Sequence, residues 1–86
     1  MFGKILYQGT DGYAEYLLAD ENGVMVIACM QPGYTGMRVK LYRVEWTEAD
    51  GYRAHMAVYN LQDAILVFKA QTNRLAAEAE AGRTNQ

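Results

Sequence analysis

Residues 20–30 read Asp20-Glu21-Asn22-Gly23-Val24-Met25-Val26-Ile27-Ala28-Cys29-Met30. Asparagine and glycine both accept positive φ, so Asn22-Gly23 is a strong hairpin signal. The seven residues that follow are apolar without interruption. A strand of that kind asks for burial on both of its faces.

Outward from this stretch, glycines repeat the punctuation. Gly9, Gly12, Gly33, Gly36 and Gly51 each stand beside Asp, Thr or Pro, and strand-length intervals separate them. Five β-like runs lie between, roughly residues 4–8, 13–19, 24–30, 37–46 and 52–59. The connecting loops are short, so consecutive strands are expected as antiparallel neighbours in a meander. At Asn60 the pattern changes. Asn60 is a helix-capping residue, Asp63 suits a first turn, and Leu61, Ile65, Phe68, Leu75 and Ala79 recur near the helical period. A helix is predicted over about 61–81, ended by Gly82 and followed by a short disordered tail at 83–86. Its last third carries Glu78 and Glu80 at the unfavourable end of the dipole. That end is expected to project or fray unless a partner holds it. The expected class is α+β: a four- to five-stranded antiparallel meander sheet with one C-terminal helix packed on one face, a single domain over residues 1–86.

Alternation assigns the faces. Met37, Val39 and Leu41 alternate, but Val44 and Trp46 fall on the opposite phase, and a bulge at Tyr42–Arg43 would reconcile them. Trp46 is then expected opposite Tyr52, Val44 opposite Ala54, Leu41 opposite Met56 and Val39 opposite Val58. Glu45 falls opposite Arg53 on the other side as an ion pair. In the first three runs, Ile5, Tyr7, Ala14, Tyr16, Leu18, Met25, Ile27 and Cys29 share the helix-covered face. The opposite face receives Leu6, Leu17, Val24 and Val26, an apolar patch assigned to dimer contact.

Half of the 86 residues are apolar, enough for a core. One cysteine excludes an internal disulfide, no signal-peptide pattern or membrane-length apolar run is present, and a cytoplasmic protein is expected. Net charge is −2 and unevenly placed. Lys4 stands against Asp11, Glu15, Asp20 and Glu21 in the first third. Arg38, Lys40, Arg43 and Arg53 outnumber Glu45, Glu48 and Asp50 in the middle.

Seven tyrosines fall within the first 59 positions, and there is no serine. Tyr7, Tyr16 and Tyr52 are read as core. Tyr13, Tyr34, Tyr42 and Tyr59 are left for contact with a partner. Enzyme chemistry finds little to use. Cys29 sits in the most apolar run, His55 is the single histidine, and no metal-ligand spacing occurs. Gly33-Tyr34-Thr35-Gly36 matches an RNA-clamping glycine loop in letters, but strands flank it, which makes it a hairpin loop.

No catalytic, cofactor-binding or metal-binding residues are therefore assigned. The expected function is a small protein-binding module, homodimeric, acting as an inhibitor or adaptor by steric blockade. The anti-CRISPR-type proteins of phages and mobile elements are the specific analogy, drawn from size and type alone. Its partner-binding residues would be Tyr13, Leu17, Tyr34, Arg38, Lys40, Tyr42, Arg43, Arg53 and Tyr59. The alternative is a single-stranded nucleic-acid binder using the same basic, tyrosine-bearing face. A small enzyme or ligand-binding domain with its site built at a dimer interface is the third reading.

Overall fold

In the computed structural model, which describes residues 4–84, five strands and one helix follow each other along the chain. They are β1 (Ile5–Gln8), β2 (Ala14–Glu21), β3 (Val24–Gly33), β4 (Gly36–Thr47), β5 (Arg53–Val58) and α1 (Leu61–Thr84). All strands are antiparallel neighbours in the order β1-β2-β3-β4-β5. The α+β meander expected from the turn spacing is the fold, at the five-strand end of its range. Asn22 and Gly23 both take positive φ, 53° and 77°, as a tight two-residue hairpin of matching twist requires. Gly12 also has positive φ, and a side chain there would meet the ring of Pro32 from β3. Gly33 pairs with Gly36 across a two-residue loop, so the glycine motif of that segment is a hairpin end.

The division of faces differs from the expectation. β3 pairs Val26 with Val44 and Met25 with Glu45, so Val24 and Val26 share a face with Val44 and Trp46. These four residues and Ala64 of the helix form the core cluster. Val24 and Val26 are therefore not part of an outer dimer patch; they are 0% and 3% exposed beneath the helix. Met25, Ile27 and Cys29 point to the opposite, open side. The physical reason is that a strand apolar throughout has no phase of its own, and pairing with β4 sets it. The bulge moves as well. Register shifts occur in β4 around Lys40, against β3, and in β2 around Leu18, but the β4–β5 ladder is regular from Tyr42 to Thr47. Its pairs are Trp46 with Ala54, Val44 with Met56 and Tyr42 with Val58, two residues from the expected register. The cause is the loop: the Glu48 amide donates to the Tyr52 carbonyl at 2.8 Å, closing the turn one pair later. Tyr42 consequently joins the helix side, packed against the core.

Helix α1 starts on a reciprocal cap. The Asp63 amide donates to Asn60 Oδ1 at 2.8 Å, and Asn60 Nδ2 donates to Asp63 Oδ2 at 2.9 Å. Ala64 is fully buried against the sheet, with Val67, Phe68 and Leu75 packed beside it. Gly82 does not stop the helix, which continues to Thr84; residues 85 and 86 of the expected tail lie outside the described residues. Residues 76–82 are exposed, the projecting end that the thin apolar stripe predicts. The molecule is elongated, 55 × 24 × 20 Å, with a radius of gyration of 15.0 Å.

Candidate partner-binding surface

The open side of β2–β4 has no helix, yet Ile27 and Cys29 are 2% and 1% exposed there. Register places Cys29 between Glu15 and Leu41, and Ile27 between Leu17 and Arg43. Charged side chains close over them. Arg43 forks onto Glu15, Nη2 to Oε1 at 2.7 Å and Nη1 to Oε2 at 3.3 Å, while Nη1 lies 3.6 Å from Cys29 Sγ. Arg43 Nε donates to Glu45, whose other oxygen pairs with Arg53 Nη2 at 3.2 Å. Arg53 Nη1 donates to Thr47 at 2.9 Å, and the Tyr13 hydroxyl donates to Glu15 Oε2 at 2.8 Å. The result is a band of side chains from Tyr13 to Thr47 laid across the sheet, its two carboxylates matched by two guanidiniums.

The electrostatics follow from this geometry. Hydrogen bonding to Arg43 is the main cause that holds the Glu15 carboxyl below its ordinary value. The same contact raises Arg43 further above its usual range. Burial, then hydrogen bonds involving Cys29 and Glu15, push the Tyr13 phenol upward. Arg43 and Arg53, two of the four cations assigned to a basic face, are thus engaged inside the band. The expected Glu45–Arg53 ion pair forms, but diagonally, since Glu45 stands opposite His55 and Arg53 opposite Thr47.

The remaining assigned residues scatter. Arg38 pairs with Gln31 on β3 and is exposed, and Lys40 is exposed at the β4 irregularity. Tyr34, in the hairpin loop beside Arg38, is fully exposed, and Tyr59 is 80% exposed ahead of the helix. Leu17 is half-buried on the open side, and Leu6 is exposed at the irregular β1. Tyr7 lies on the open side, its ring 6.0 Å from Tyr13, and Tyr52 is exposed in the β4–β5 loop. Neither belongs to the core as expected.

An apolar surface that the sequence assigned elsewhere lies on the helix side. Ile5 pairs with Tyr16, Tyr16 with Ala28, Ala28 with Tyr42 and Tyr42 with Val58, a row across the sheet whose Val58 end precedes α1. Ile5 and, in the first two turns of the helix, Leu61 and Ile65 are 52%, 46% and 40% exposed. Helical spacing puts Ile65 on the same flank as Ala76 and Ala79, which line a recess with Asn22 of the β2–β3 turn. That flank faces the β2–β3 turn, and Ile5 and Tyr16 lie on the same side of the sheet as the helix. The available signal was Ala64: a small residue in the helical pattern marks close approach to the sheet, and it rotates Leu61 and Ile65 outward.

Among the described residues, no three His, Cys, Asp or Glu side chains gather as a metal site, and no helix is long and apolar enough to cross a membrane. Comparison with known proteins returned no matching family model, curated protein or solved structure.

Proposed function

We propose that this chain is a non-enzymatic protein-binding module of the inhibitor or adaptor kind, working as a cytoplasmic homodimer that blocks a partner's surface. The anti-defence proteins of phages and mobile elements are the type it would belong to. The observation that carries this reading is the strip of exposed apolar side chains on the helix, Leu61 and Ile65, with Ile5 and Tyr16 on the same side of the sheet. It combines exposed apolar groups with a half-buried tyrosine, the composition of an interface centre. On the open side, Glu15, Arg43, Glu45 and Arg53 are paired with one another, which leaves that face few free charges for a partner.

The test is affinity capture from the native host with the full chain, followed by titration of each purified captured protein. Ile65→Asp should weaken the authentic interaction at least about tenfold. A captured protein that binds Ile65→Asp as tightly as wild type, with no other showing loss, defeats the assignment of this strip. A second reading, single-stranded nucleic-acid binding, draws on exposed Tyr34, Arg38 and Lys40 at the β3–β4 hairpin. Labelled single strands titrated at two salt concentrations separate the two. Low-salt binding that Arg38→Ala with Lys40→Ala abolishes would favour the nucleic acid.

A further inference from the structure

The sheet ends at β5, and the hydrogen-bonding phase of that strand can be read from the turn before it. Glu48 donates to Tyr52, so 48 and 52 form a hydrogen-bonded pair. Antiparallel ladders alternate hydrogen-bonded and non-hydrogen-bonded pairs. Ala54, Met56 and Val58 therefore bond to β4, and the peptide groups of Arg53, His55 and Ala57 point away from the sheet. The one charged strand residue of this edge, Arg53, is turned back onto Glu45 and Thr47 of β4. The edge is regular, without bulge, proline or lysine. The opposite edge, β1, has four residues and an irregular register between Ile5 and Tyr7.

We propose that a second copy of this chain adds to the sheet through β5, antiparallel, about a twofold axis at His55. This rests on the homodimer element of the function proposed above, and not on the identity of any other partner. Centring the axis on His55 uses all three outward-pointing residues and is the same operation for both copies. The side chains then meet large against small. Arg53 stands opposite the partner's Ala57, and Met56, 46% exposed on the helix side, stands opposite the partner's Ala54.

The helix agrees. Arg74 reaches Glu48 at 2.9 Å, just before the β4–β5 turn, so the helical stripe of Asp63, Val67, Ala70 and Arg74 lies toward the β5 edge. In the dimer the two helices run antiparallel above the joined sheet. Arg74 is already held by Glu48 and Glu78 of its own chain, so the helices add apolar surface to the junction and no new ion pair. Met56 and Val67 fill the space between them.

Sedimentation analysis of the full chain and of His55→Lys, together with amide hydrogen exchange, tests this. Wild type should pass from monomer to dimer between roughly 1 µM and 1 mM. His55→Lys should raise the dissociation constant at least about tenfold with unchanged circular dichroism, because it sets two lysines against each other on the axis. Amides of Arg53, His55 and Ala57 should gain protection with concentration, while those of Met56 and Val58 are protected throughout. A dimer that His55→Lys leaves intact, or whose 53, 55 and 57 amides exchange as in the monomer, overturns the β5 junction but leaves the homodimer standing. A monomer at 1 mM removes both.

Discussion

Arg43 sits where the sheet has no second layer and makes one from charged side chains. Its stem covers apolar strand surface and its fork binds Glu15, so a residue that reads as a surface cation works as a cover. Arg43→Met keeps much of the stem but leaves Glu15 half-buried without its cation, held only by the Tyr13 hydroxyl. It should cost about 2 kcal/mol in urea denaturation. Arg43→Met combined with Glu15→Leu should recover most of that loss, because the orphaned carboxylate is gone. The pH dependence has a fixed sign. Glu15 is held below its ordinary value of 4.5 in the fold, so its contribution is full above that value and disappears as pH falls through the lower folded value. Melting temperatures from pH 6 to 3 should fall less steeply for Glu15→Gln than for wild type.

The strands and the helix were legible to different depths. Turn residues are local chemistry, which is why Asn22-Gly23, the Asp11 and Asp50 turns and the Asn60 cap stand where the sequence put them. Facing is not local. Residues 24–30 of β3 are all apolar, so nothing inside them distinguishes the side of Val26 from that of Ile27, and the choice passes to pairing with Val44 and Glu45. The exposed apolar strip of the helix was missed for a related reason: Leu61 and Ile65 fit a helical stripe, but so do Ala64, Phe68 and Leu75, rotated by part of a turn. The helix also contains a misfit. Thr72 is buried, and its hydroxyl is without a hydrogen-bond partner among the described residues. Thr72→Val replaces that group with one of the same shape. It should leave stability unchanged or raise it by up to about 1 kcal/mol, measured by thermal and urea unfolding.

At the scale of the molecule, shape matters most. A compact chain of this length would have a radius of gyration of about 12 Å, against the 15.0 Å observed. The His55→Lys variant at low concentration should therefore elute from a sizing column ahead of globular standards of its mass, while light scattering returns 9.7 kDa. Small-angle scattering of the same variant should give a radius close to 15 Å; a value near 12 Å would mean that the long hairpin and the projecting helix end fold back in solution. The central strand has a consequence of another kind. Val24–Met30 is seven residues without charge, proline or glycine, the composition of an aggregation-nucleating segment whenever it lies open. Its safety depends on timing. The Asn22-Gly23 turn can close its hairpin within microseconds, before chains meet at modest concentration. Conditions that hold the chain unfolded while crowding it, such as slow dialysis from denaturant at high concentration, would give fibrous precipitate instead of refolded protein.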